Sequence, residues 1–223
     1  MTRKLCFEAI LKFTAGVFLV GALLFLPAGT LAYPGGRLLM GILFIPMFLA
    51  GLVMMAVNPN LLRSRLNAKE KEQEQDLVIK LSGLMFLVGF ILAGLDFRFG
   101  WSELPFVVNC VGAVLFLTAY VLYAEVLREN TYLSRTVEVQ ENQKVIDTGL
   151  YGIVRHPMYT ATVLLFGAMP LVLGSVYAFV IFLFYPLIIA GRIRGEEEFL
   201  ERELDGYRAY KQKVKYRMIP FVW

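Results

Sequence analysis

Residues 157–193 read PMYTATVLLFGAMPLVLGSVYAFVIFLFYPLIIAGRI, 37 residues in which no side chain is charged before Arg192. A helix that crosses a bilayer needs about 20 mostly apolar residues. The run is therefore too long for one crossing and the right length for two. Gly174 and Ser175, near its middle, form a turn signal. Pro157, at its start, suits the first position of a helix, where its missing N–H would have no partner anyway. The stretch predicts a helical hairpin over 157–193 with its tip at Gly174-Ser175.

Four more apolar runs precede it: Phe7 to about Pro27, Leu38 to Val57, Leu77 to Phe97, and Phe106 to Leu127. The first carries Lys12 in its opening turns and is too long to resemble a cleavable signal, so it is expected to remain as a span. The reading is an all-α, polytopic membrane protein with about six transmembrane helices. Residues 1–127 supply four of them, with a polar loop at 58–76. Residues 128–223 form a C-terminal region with the hairpin and a polar tail. Composition agrees. Apolar and aromatic residues make up 58% of the chain and charged residues 18%, against about 45–50% and about 25% in an ordinary soluble domain. Mean hydropathy is +0.63. A single core of this size cannot hide so much apolar surface. A soluble enzyme, a disordered chain and a secreted disulfide scaffold are excluded.

The 22 Lys and Arg residues are unevenly placed. With six spans, 20 of them fall on one face, and only Arg37 and Arg98 fall on the other. The positive-inside rule makes the crowded face cytoplasmic. Both termini are expected there, in an inner or plasma membrane. The net charge of +4 thus reads as a topology signal, not as a nucleic-acid site. The two cysteines, Cys6 and Cys110, read as buried free thiols. With one histidine, His156, the chain shows no metal-ligand cluster. Gly89 and Ala93 form one small-xxx-small pair of the kind found at membrane helix contacts.

The spans hold few ionisable groups. Glu125 lies near the end of the fourth, and Asp96 and Arg98 at the far edge of the third. A conduction path more often places such groups in mid-membrane, so the pattern argues against a channel or transporter. Chemistry-bearing residues gather instead on the basic face of the C-terminal half. Gly149-Leu150-Tyr151-Gly152-Ile153-Val154-Arg155-His156-Pro157-Met158-Tyr159 sets a cation and an imidazole at the start of the fifth span. Free N–H groups and the helix dipole favour an anion there. The same residues also read as a headgroup-level anchor, with Tyr159 in an interfacial aromatic belt. Arg192-Ile193-Arg194-Gly195-Glu196-Glu197-Glu198 follows the hairpin. Its carboxylates suit an ammonium, a ribose or a sulfonium. Arg194, Glu198 and Arg202 also stand four apart, as on a solvated helix, which leaves Glu196 and Glu197 as the functional candidates. Beyond them, Phe199, Leu200, Leu204, Tyr207 and Val214 predict an amphipathic helix, with Tyr207 and Tyr210 as packing residues.

With these motifs, and with Gly206-Tyr207-Arg208-Ala209-Tyr210 and Tyr216-Arg217-Met218-Ile219-Pro220, the chain resembles the isoprenylcysteine carboxyl methyltransferase family and its bacterial and archaeal relatives. The specific motifs cover about residues 120–223. Asn58-Pro59-Asn60-Leu61-Leu62 adds a weaker likeness. The family's frequent Gly after the Tyr of Arg-His-Pro-x-Tyr is replaced by Thr160 and Ala161. The resemblance implies a membrane enzyme that uses S-adenosylmethionine without a Rossmann fold and takes a lipophilic acceptor from the bilayer. It implies that His156, Pro157 and Tyr159 contact the cofactor and that Glu196 and Glu197 meet its polar end. Val139, Gln140, Val145, Gly149, Leu150 and Tyr151 would line the pocket. Arg155, Arg192 or Arg194 would position an acceptor carboxylate. Methyl transfer to an ionised acceptor needs alignment and water exclusion more than a base. Two other readings remain: an NADPH-dependent, sterol-reductase-like membrane enzyme, and a non-catalytic assembly or transport protein.

Overall fold

The computed structural model describes residues 3–66, 73–133 and 139–223, which form helices and their connections. Lys69, Lys71 and Arg135, counted on the basic face, lie outside the described residues. The helices are α1 (Arg3–Ala28), α2 (Pro34–Val57), α3 (Pro59–Leu66), α4 (Gln73–Phe99), α5 (Phe106–Glu129), α6 (Pro157–Leu173), α7 (Val176–Phe182), α8 (Tyr185–Glu203) and α9 (Tyr207–Lys213). A single 3-10 turn, Gly149–Gly152, precedes α6.

Among the described residues, five stretches are long and apolar enough to cross a membrane: Leu5–Ala28, Pro34–Val57, Leu77–Phe99, Phe106–Glu129 and Val176–Glu203. The remaining apolar helix, α6, has 17 residues. That is about 25 Å at 1.5 Å per residue, a little short of a hydrocarbon core of about 30 Å. Large apolar side chains such as Phe18, Leu26, Val121 and Leu187 point outward, as lipid-facing residues do.

The hairpin turns where the glycine stands. Gly174 adopts φ 71°, the left-handed conformation that glycine takes without a Cβ penalty. Ser175 then caps α7, its Oγ accepting from Ala178 N at 3.1 Å. The same hydroxyl donates to Asp96 Oδ2 at 2.5 Å. Asp96 also accepts from Ser102 N and Ser102 Oγ, each at 2.7 Å. This polar knot ties the end of α4, the following loop and the hairpin tip together. It satisfies a carboxylate that is only 1% exposed.

The hairpin legs are held mainly by different neighbours. α6 lies against α5, and α7 against α4. Gly112 permits the first contact, since a Cβ there would come within 2.6 Å of Val172 N. Gly89 permits the second, with the Phe182 ring occupying the space of a side chain. Ala93, its small partner in sequence, is fully buried. α1 packs on α4, and α2 bridges α1 and α6. On the basic face Lys12 Nζ reaches Glu8 Oε1 at 2.7 Å and Leu66 O at 2.8 Å, which joins α1 to the end of α3.

Three expectations change. The last span breaks at Leu183-Phe184, because Pro186 cannot donate back to the preceding turn. α8 then continues to Glu203, so Arg192 to Glu198 lie inside the helix and not after it. The amphipathic stretch beyond is two pieces, since Leu204 ends α8 and Gly206, at φ 85°, starts α9. The thiols are not deeply buried: Cys6 is half-buried and Cys110 is exposed on α5.

Candidate active site

The described residues between α5 and α6, 130–133 and 139–154, are tied down by side-chain hydrogen bonds. The Glu129 carboxylate accepts from Thr148 Oγ1 at 3.0 Å and from Leu150 N at 3.1 Å. Gly149, at φ 48°, leaves room for that carboxylate. Gln140 Nε2 donates to Tyr132 O at 2.7 Å, and Gln143 Oε1 accepts from Gln140 N at 2.9 Å. Asn130 Nδ2 donates to the Tyr151 hydroxyl at 3.0 Å. From α9, Tyr210 Oη donates to Tyr151 O at 2.8 Å, and Lys213 pairs with Asp147 at 2.7 Å.

The start of α6 is fixed by the chain's last residues. Arg155 N donates to Tyr216 O at 2.9 Å and His156 N to Arg217 O at 2.8 Å. Thr160 Oγ1 donates to Met218 O at 2.6 Å. His156 is the N-cap of α6 and Pro157 its first residue. The anion expected beside Arg155 and His156 is present within the protein: it is Glu197. Arg155 Nε donates to Glu197 Oε1 at 2.7 Å, and His156 Nε2 lies 3.2 Å from the same oxygen. Arg217 Nε donates to Oε2 at 3.0 Å, and Lys211 Nζ stands 3.9 Å from it. Arg155 Nη1 also donates to Val214 O and Lys215 O at 2.7 and 2.8 Å. Glu197 is 1% exposed and Arg155 7%.

Glu196, one residue earlier, has different surroundings. Tyr159 Oη donates to Glu196 Oε2 at 2.5 Å and accepts from Arg192 Nε at 2.8 Å. These three side chains lie on the wall of a cavity under the basic face, between α6, α8, α9 and residues 130–133 and 143–146. Its empty space is about 820 Å³ with the open mouth counted, of which water-sized molecules can centre themselves in about 100 Å³. Five tyrosines line it: Tyr132, Tyr151, Tyr159, Tyr207 and Tyr210. So do Asn130, Gln143, Lys144, Arg155, His156, Arg192 and Glu196, with Leu133, Val145, Ile146, Met158, Leu200 and Leu204 as the apolar part. Burial, above all, raises the hydroxyls of Tyr151, Tyr207 and Tyr210 above the ordinary tyrosine range, so all three stay protonated.

Of the residues expected at a site, the cavity collects Val145, Tyr151, Arg155, His156, Tyr159, Arg192 and Glu196. Gln140, Gly149 and Leu150 stand behind its wall and hold the loop. Pro157 shapes the start of α6. Arg194 is exposed on the far side of α8, and Glu197 is enclosed by its cations. Sequence reasoning did not single out Asn130, Tyr132, Lys144 or Arg217, which no local spacing marks. Tyr207 and Tyr210, read as packing residues, both pack together and line the cavity, with ring centroids 5.7 Å apart.

Residues 107–205 match the family model described as phospholipid methyltransferase. That stretch runs from α5 to just past the end of α8 and carries Arg155, His156, Tyr159, Arg192, Glu196 and Glu197. That description agrees with the type of protein to which the motifs point. Tyr207, Tyr210 and Arg217 lie beyond the matched stretch. A second similarity is to the probable 7-dehydrocholesterol reductase of Acanthamoeba polyphaga mimivirus, 26% identical over 153 residues, which is 63% of this chain and 34% of that protein. The chain therefore spans about a third of the length of that curated relative.

Proposed function

We propose that the protein transfers a methyl group from S-adenosylmethionine to a lipophilic acceptor at the membrane surface. The observation that carries this reading is a carboxylate, Glu196, on the wall of a cavity with five tyrosines. A carboxylate and aromatic faces suit a ligand that pairs a cationic group with a flat heterocycle and hydroxyls. S-adenosylmethionine, when bound, supplies a methyl group already activated by its sulfonium. The protein's part is to bind and align. Glu196 would meet the cofactor's ammonium, sulfonium or ribose, with Tyr159 and Arg192 fixing its orientation. His156 and Tyr151 would close the wall, and Arg192 would face the acceptor's polar head. The methyl carbon would pass to an acceptor lone pair, with the electron pair of the broken carbon–sulfur bond staying on sulfur. An acceptor that arrives ionised gives up no proton, so no general base is required.

An apolar groove of about 390 Å³ between α4 and α7–α8 supports a lipophilic acceptor. Ile188 on its wall, Arg192 and Glu196 stand four residues apart on α8, one above another on one side of the helix. An apolar chain in the groove would bring its head to the cavity, with the basic face on the cytoplasmic side. An isoprenylcysteine-like carboxylate fits this description as it arrives, and a phospholipid amine fits it once deprotonated.

The likeness to a reductase favours a second reading, in which the cavity holds NADPH. Glu196 and the engaged Arg155 count against it, while Lys144 and Arg192 on the same wall would suit phosphates. NADPH is multiply anionic, Glu196 faces the cavity, and Arg155 is already engaged by Glu197. Binding of S-adenosylmethionine and of NADPH to the detergent-solubilised protein separates the two. Saturable S-adenosylmethionine binding, with labelled methyl appearing in a solvent-extractable product, is the expected result. Saturable NADPH binding alone overturns the proposal.

A further inference from the structure

Four of the five cavity tyrosines use their hydroxyls within the protein. Tyr132 Oη donates to Asn142 O at 3.4 Å, and Tyr151 Oη accepts from Asn130. Tyr159 Oη bridges Glu196 and Arg192, and Tyr210 Oη donates to Tyr151 O. Tyr207 differs. Its side chain is 4% exposed, and its hydroxyl has no hydrogen-bond partner among the described residues. It is the one buried side-chain polar atom there of which this is true. Its ring is held by Leu204, Tyr210 and Val214. Gly206, at φ 85°, turns the chain so that α9 begins at this residue.

A buried hydroxyl without a partner is disfavoured, and native proteins keep few of them. Tyr207 is on the cavity wall, so a small side-chain shift would give its screened hydroxyl a partner in whatever the cavity holds. Burial keeps it protonated, and the nearby carboxylates Glu197 and Glu196 push in the same direction, so it acts as a donor. Neither carboxylate accepts from it: Glu197 is engaged by Arg155, His156 and Arg217, and the hydroxyl that Glu196 accepts from is that of Tyr159. We infer that Tyr207 is a ligand-binding residue whose hydroxyl donates a hydrogen bond to an oxygen or nitrogen lone pair of the bound nucleoside cofactor. This rests on the cofactor reading above and extends the site past residue 205, onto α9.

Tyr207→Phe tests it, with S-adenosylmethionine as the probe and two readouts, affinity and the melting temperature without ligand. One neutral hydrogen bond corresponds to roughly a three- to tenfold loss of affinity. Removing a hydroxyl that has no partner in the protein leaves the unliganded melting temperature unchanged or raises it. Tyr210→Phe is the contrast, because it strips the donor from Tyr151 O and lowers the unliganded melting temperature. Wild-type affinity in Tyr207→Phe overturns the inference, since the hydroxyl then serves no ligand. A Tyr207→Phe protein that melts lower without ligand also overturns it, since the hydroxyl is then used inside the fold. Failure of the wild-type protein itself to bind S-adenosylmethionine removes the cofactor reading, and this inference with it. The wild-type and variant arms therefore tell the two failures apart.

Discussion

Glu196 and Glu197 are adjacent, yet a helix turns about 100° per residue, and that rotation sends them to different tasks. Glu197 enters a cluster with Arg155, His156 and Arg217, almost out of contact with solvent. Replacing it with Ala leaves two buried or half-buried guanidiniums without their anion, and breaking such a pair costs about 3–5 kcal/mol. Glu197→Ala is thus expected to lower the melting temperature in detergent sharply, with or without cofactor. Glu196→Gln keeps an acceptor for Tyr159 and touches no buried ion pair. It is expected to melt within a few degrees of wild type while losing S-adenosylmethionine affinity, read by titration. A Glu197→Ala protein as stable as wild type would refute the assignment of Glu197 to the fold. The carboxylate pair itself was legible in the sequence, as were His156, Tyr159 and Arg192. The division of labour was not. It depends on Arg217, twenty residues away, whose return to Glu197 follows from the pairing of 216–217 with 155–156, and no local pattern announces that pairing.

Whole elements were read with mixed success for the same kind of reason. The hairpin tip was legible because Gly174 and Ser175 act locally, one through its backbone and the other as a cap. The extent of α8 was hidden, because Arg192 to Glu198 carry the charges that mark a membrane boundary. The helix runs on through them, since Glu197 finds its countercharges just before α6 and on the tail. Close approaches were also hidden: composition shows a glycine but not what presses on it. Gly112 meets the backbone of α6, which cannot swing aside. Gly112→Leu is expected to force α5 and α6 apart, at a cost of about 1–3 kcal/mol from overpacking. Gly83→Ala on α4, with no atom near the added carbon, is expected to be neutral or mildly stabilising. Paired thermal melts of the two variants check both, and equal melts would deny the α5–α6 contact its role in the fold.

For the molecule as a whole, the excess of apolar residues and the charge imbalance serve one arrangement. Among the described residues, five long apolar stretches and the shorter α6 form the membrane part, a polar cavity lies at the basic end between α6, α8, α9 and the residues after α5, and the apolar groove between α4 and α7–α8 lies on the same side of α8 as Arg192. The sequence disclosed the membrane class and the crowded face, because both are sums over many residues. It could not disclose the groove, which exists only where α4 meets the break at Leu183-Phe184. If the groove seats the apolar part of the acceptor, blocking it acts on one substrate and spares the other. Leu84→Trp and Ile188→Trp add bulk to the groove walls, and neither residue lines the tyrosine cavity. Both variants are expected to retain wild-type S-adenosylmethionine affinity while the KM for a long-chain acceptor rises at least several-fold. A short-chain acceptor with the same polar head, which needs no groove, should be methylated by the variants as by wild type. An equal penalty on long and short acceptors would place the acceptor's chain elsewhere on the membrane face of the protein.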